Sequence, residues 1–211
     1  LASLSVDQKL AKCGAVMYDV EIISAVPDEN EPRVQGLHYC GGWDDYAGMG
    51  ISVITAYDFY HSNMLVYLSD NLDDFRTLVN SRDCIIGYNS IRFDNNVMAA
   101  NGINISKEKV YDLWVAITNT QPSGHRSGYK LSNMLSCNGI DAKTEMGSEA
   151  PLLAQTGKWG RLITYCLGDT YKQVQLLRLA CSGVMKSPKD GQYMNIKLPW
   201  DSVEIDKEGL F

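Results

Sequence analysis

Apolar and polar positions along the chain fall into short, separable runs. Residues 14–21 (GAVMYDVE) follow Gly14 and are apolar on both parities, which predicts a central strand covered on its two faces. Residues 51–57 and 63–68 predict two further strands, joined through a turn-like stretch at 58–62 as an antiparallel meander. Helical spacing follows over 72–80, then a short apolar strand over 84–88. Gly87-Tyr88-Asn89 breaks that strand, and a helix is expected over about 94–100, stopped by Asn101-Gly102. The run 110–115 fits either a fifth strand or the start of a helix. From Lys130 onward the spacing is helical, and its longest piece runs over 159–181 until Ser182-Gly183 stops it. No repeat or linker divides the chain. The pattern predicts one α+β or α/β domain over 1–185, with a long loop insertion at 22–49, and a C-terminal hairpin or tail over 186–211.

Charge narrows the functions open to such a domain. The 211 residues carry 19 Lys and Arg against 25 Asp and Glu, a formal net charge of -6. A protein that coats nucleic acid by electrostatics alone is excluded, whereas a small local site is not. The acid is uneven: residues 1–75 hold 3 basic and 12 acidic groups, and residues 76–180 hold 12 basic and 8 acidic. None of the six cysteines forms a Cys-x-x-Cys pair, so a zinc ribbon or a redox dithiol has no support. With no signal-peptide pattern and no apolar run of membrane-spanning length, the expectation is a cytoplasmic protein with reduced thiols and no membrane contact.

The candidate chemistry lies in three acidic motifs. Asp19 and Glu21 sit two apart near the end of the first strand, so both project from one face. Two acids on a strand covered from both sides repel each other by roughly 4 kcal/mol at 4 Å and an effective dielectric of 20, which a divalent cation would relieve. Asp94 opens a helix after Gly87-Tyr88-Asn89-Ser90-Ile91-Arg92-Phe93, a position where Asp is also a favoured cap. Tyr165 and Asp169, four apart, share one face of the long helix. Gly168 beside them is a poor helix residue, explained either by a close approach to the backbone or by drift.

In order, Asp-x-Glu, Gly-x-Asn-x-x-x-Phe-Asp and Tyr-x-x-x-Asp resemble the DEDDy branch of the DnaQ-like 3′–5′ exonucleases, which includes polymerase proofreading domains. The likeness spans residues 14–181. The other branch of that superfamily has His five residues before the last Asp, where this chain has Thr164. The resemblance implies an α/β, ribonuclease H-like fold: a five-stranded mixed sheet, antiparallel meander plus parallel strands, flanked by helices. It also implies two divalent cations, Mg²⁺ or Mn²⁺, held by Asp19, Glu21, Asp94 and Asp169, with Tyr165 orienting the attacking water. The implied reaction removes nucleoside 5′-monophosphates from a nucleic-acid 3′ end, single-stranded DNA before RNA. A polymerase or another replication or repair protein would then be a partner in trans. Ile22, Asn89, Phe93, Arg126 and Lys130 are then candidate substrate-binding residues; Arg92, His125, Arg126 and Lys130 are the candidates for phosphate contact, each set against the plainer reading of a solvated surface charge. Ile22 stands where the family often has Thr, and the 22–49 loop is longer than usual. The competing class is a catalytically silent relative that binds nucleic acid or protein.

Overall fold

The computed structural model describes residues 4–28, 30, 32–121, 126–142 and 149–202. A helix α1 (Val6–Lys12) comes first, set by a capping box in which Ser5 and Gln8 exchange side-chain to backbone hydrogen bonds. Strand β1 (Ala15–Ile22) leads through a loop and a short helix α2 (Tyr46–Met49) to β2 (Ile51–Asp58) and β3 (Asn63–Tyr67). Helix α3 (Leu72–Asn80), β4 (Cys84–Gly87), α4 (Asp94–Ala100) and β5 (Val110–Asp112) follow. The rest is helical: α5 (Leu113–Thr118), α6 (Leu131–Cys137), α7 (Ala150–Gln155), α8 (Trp159–Cys181) and α9 (Pro199–Ser202).

The five strands form one sheet in the order β3-β2-β1-β4-β5. β1 runs antiparallel to β2 and parallel to β4, and β4 runs parallel to β5. β1 is therefore the central strand that its apolar parities require. Its Ala15 and Met17 pack with α1, α5, α6 and α8 on one face. Its Val16, Tyr18, Val20 and Ile22 pack with Phe75 and Val79 of α3 and Val97 and Met98 of α4 on the other. A mixed sheet with helices on both faces has the α/β arrangement of a ribonuclease H-like fold.

Two stretches are resolved differently from either simple expectation. The run 110–115 is both strand and helix, because Asp112 ends β5 and caps α5 by accepting from the backbone N–H of Trp114 and Val115. The 22–49 loop is pinned by a parallel bridge between Ala25 and Tyr39 and by Gln155, which donates to the carbonyls of Ile23 and His38. Near the C-terminus an antiparallel bridge joins Lys186 to Tyr193, and Met194 and Ile196 are buried in the core cluster with Leu10 and Trp114. Among the described residues no helix is long and apolar enough to cross a membrane. All six cysteines are free thiols.

Candidate active site

Parallel strands end at the same edge of a sheet, so β1, β4 and β5 deliver their C-terminal residues to one place. On β1 the alternation puts Asp19 and Glu21 on the α8 face, where both are partly covered. The register with β2 shifts between Glu21 and Ile22, a bulge that ends the regular pairing where the acids stand. Ser52 holds this spot by donating to the Glu21 carbonyl at 2.9 Å. Ile22 points the other way: it is 9% exposed and packs in the core with Val20 and Tyr18, away from the two acids.

Helix α8 supplies the next groups. Asp19, Glu21 and Cys166 bring ligand atoms within 4.8 Å of one another, a group able to hold a metal ion. Asp19 accepts from Gln173 Nε2 at 3.0 Å, and the Cys166 thiol lies 3.7 Å from its other oxygen. Asp169 is buried one turn beyond Tyr165, with Lys172 Nζ 3.4 Å away. A Cβ at Gly168 would meet no atom within 4 Å, so no part of the described chain requires glycine there.

Asp94 arrives from the turn after β4. Gly87 has to be glycine, because a Cβ there would lie 2.4 Å from that of Ser90. Asn89 is left-handed at φ 60, which Asn tolerates better than most residues. Phe93, not Asp94, occupies the cap position of α4, and no side-chain capping bond is made. Asp94 is thus not the cap residue of its helix. Asp112 steadies the whole turn, accepting from Asn89 N–H at 2.9 Å and Ile91 N–H at 3.0 Å while it caps α5. Sequence patterning gives Asp112 no role, and its only legible signal is an Asp directly before a helical run.

The electrostatics of these acids agree with their geometry. Burial, then the charge of Asp169, pushes Asp19 up to about 7, against the pull of Gln173 and Cys166. Glu21 is raised well above its ordinary value by burial and then by Asp19, Asp169 and Asp94. Asp94 is likewise raised by burial and by Asp19, although backbone N–H groups partly offset this. Burial raises Asp169 too, with Tyr165 and Lys172 pulling it back. Tyr165 is held far into its protonated form by burial and by Glu21, Asp169 and Asp19. Four carboxyls whose ionised forms oppose one another are a hard-oxygen set suited to Mg²⁺ or Mn²⁺. The Cys166 thiol is kept protonated by burial and by Asp19 and Glu21, so the carboxylates dominate the donor chemistry. Among the described residues, the Oε1 of buried Gln173, beside Asp19, has no hydrogen-bond partner.

The substrate-side candidates are more scattered. Phe93 makes an edge contact with Trp43 at 6.2 Å between ring centroids, and Trp43, in the 22–49 loop, is 68% exposed. Arg126 and Lys130 are exposed in the segment leading into α6, while His125 lies outside the described residues. The Tyr88 hydroxyl donates to the Tyr129 carbonyl at 2.6 Å and so ties that segment to the Asp94 turn.

No family model and no curated protein matches the chain. Among solved structures it is similar to the family B DNA polymerase from the hyperthermophilic archaeon Pyrobaculum calidifontis, with a TM-score of 0.49 at 14% identity. The match covers 89% of this chain and 26% of that one, so the chain spans about a quarter of the polymerase's length.

Proposed function

We propose that this protein is a metal-dependent 3′–5′ exonuclease acting on an unpaired nucleic-acid end. The observation that carries the proposal is the Asp19 and Glu21 pair at the end of β1, whose ligand atoms lie with that of Cys166 within 4.8 Å of one another and whose ionisation is opposed by burial and by the charges of Asp169 and, for Glu21, Asp94. Asp19, Glu21, Asp94 and Asp169 would hold two Mg²⁺ or Mn²⁺ ions, which when bound supply charge neutralisation at the phosphodiester and acidify water. Asp19 is best placed to serve both ions, since its charge acts on Glu21 and on Asp94. Tyr165 stays protonated and serves as a hydrogen-bonding group that orients the attacking water beside Asp169, not as a base. Gln173 fixes the Asp19 carboxylate through its Nε2–H. Residues 1–185 form the catalytic unit in this proposal.

The preference for an unpaired end rests on Trp43 and Phe93. An exposed indole braced by a second ring, one residue from Asp94, offers a face on which an unstacked base can lie. Asn89 supports the turn through its left-handed backbone, and Ile22 belongs to the core.

The test is digestion of a 5′-labelled single-stranded oligonucleotide. The expected result is a ladder of products shortened from the 3′ end with Mn²⁺, absent with chelator and absent for Asp19→Ala. An intact oligonucleotide, or equal digestion by Asp19→Ala, overturns the proposal.

A further inference from the structure

Arg92 and Arg126 are far apart in sequence, yet their guanidinium carbons stand 4.9 Å and 5.8 Å from the centroid of one ring, Trp114. That indole is only 9% exposed and is held in the core cluster at the start of α5, a rigid base for two cations at the surface. The same hydrogen bonds that steady the Asp94 turn assemble the trio. Asp112 joins the N–H groups of Asn89 and Ile91 to that of Trp114, and Tyr88 draws in the backbone of Tyr129. Arg76, Arg82 and Arg178 each reach a carboxylate. Among the described residues, Arg92 and Arg126 reach none. Two like charges gathered on one ring repel, and an anion with several oxygens relieves that repulsion while accepting from both forks.

We propose that Arg92 and Arg126, carried on Trp114, form a seat for a backbone phosphate of a single nucleic-acid strand, a few nucleotides from the reacting end. Arg92 lies two residues before Asp94, so their Cα atoms are within about 7 Å and the seat is beside the acid cluster, not inside it. An open groove of about 340 Å³ is lined by Ile91 and Val115, the chain neighbours of Arg92 and Trp114, and by exposed Lys197, and it offers the strand a path outward. Phosphate contacts of this kind position a strand without reading its sequence. The direction assigned to the strand rests on the exonuclease proposal; the phosphate seat itself does not.

The experiment measures binding without cleavage. Affinity for a 5′-fluorescent oligothymidylate of about eight nucleotides is followed by anisotropy in chelator across a salt series. For the Arg92→Gln/Arg126→Gln double variant, affinity is expected to fall about tenfold at low salt, and the slope of log K against log salt to become shallower by about 0.7, the loss of one single-strand phosphate contact. Arg92→Lys/Arg126→Lys should restore most of the slope but only part of the affinity, because the ammonium lacks the planar fork. If the double variant does not fold, each single Gln variant should weaken binding and make the slope shallower by part of that change of about 0.7. Unchanged affinity and slope in the Gln variants overturn the seat. A wild-type protein that binds as described but leaves the oligonucleotide intact with Mn²⁺ supports the seat and sinks the exonuclease proposal. Digestion by the wild type with an unaltered salt slope in the variants sinks the seat alone.

Discussion

Two carboxylates on neighbouring strands meet opposite fates. Asp58 ends β2 opposite Val16, and Asp19 stands three residues further along β1, opposite Thr55. Asp58 has no exposed surface, and burial opposes its charge. Yet Arg82 donates to both its oxygens at 3.0 and 2.7 Å, His61 Nδ1 lies at 2.7 Å and the Tyr60 N–H adds a fourth bond, so its pKa is lowered. Among the described residues, Asp19 has only the neutral donors Gln173 and Cys166, with more acids nearby, and its pKa rises to about 7. The chain itself compensates one carboxylate in full. It leaves the other short of positive charge, and this difference separates a structural rivet from the proposed cation site.

Changing either carboxylate should break the contrast in opposite directions. The largest effect expected is on hydrolysis: Asp19→Ala should lower the rate of 3′ shortening by at least about 100-fold, measured by single-turnover digestion. Asp58→Asn should act on stability instead. Removing one partner of a buried, hydrogen-bonded ion pair costs about 3–5 kcal/mol, and a chain of this size loses roughly 2–4 °C of melting temperature per kcal/mol. Thermal unfolding in chelator should therefore show a drop on the order of 10 °C for Asp58→Asn. Asp19→Asn should melt at or above the wild type at about pH 8, since it removes a charge the fold opposes.

Acidity should divide the two sites as well. The folded Asp19 keeps its proton up to about 7, whereas an unfolded chain loses it near 3.8. Its contribution therefore favours folding at low pH and fades as pH rises through that window. Asp58 has the reverse sign, since its lowered pKa stabilises above the ordinary carboxylate value and is lost on acidification. In chelator, the melting temperature should decline between about pH 4 and about pH 7, and saturating Mn²⁺ at the upper end should restore it. A flat wild-type profile, or one unaltered in Asp19→Asn, would remove Asp19 from this account. The smallest effect is expected at the rim: Trp43→Ala should weaken oligonucleotide binding by about 1–3 kcal/mol, read by anisotropy, with little change in melting temperature.

The strand alternation of 14–21 made the Asp19–Glu21 pair and the central place of β1 legible, because apolar residues on both parities leave few other positions in a sheet. The limits of α3, α4 and α8 followed from helical spacing and from the Asn-Gly and Ser-Gly stops. The environment of Asp94 was not legible. Local propensity favours Asp as a cap, whereas packing of the turn puts Phe93 at that position and leaves the carboxylate beside β1. Asp112 was hidden for a related reason: its bonds to Asn89 and Ile91 span a sequence gap that only the parallel pairing of β4 with β5 closes. Trp43 and Trp114 look like ordinary aromatic residues until the fold brings Phe93 to one and two arginines to the other.

Divalent-cation binding tests the central contrast most directly. Calorimetric titration of Mn²⁺ into the wild type, Asp19→Asn and Asp58→Asn at neutral pH should show saturable binding in the wild type. The same titration should show its loss in Asp19→Asn and its retention in Asp58→Asn at a temperature where that variant is folded. No binding to the wild type, or equal binding to Asp19→Asn, would contradict a cation site at the end of β1.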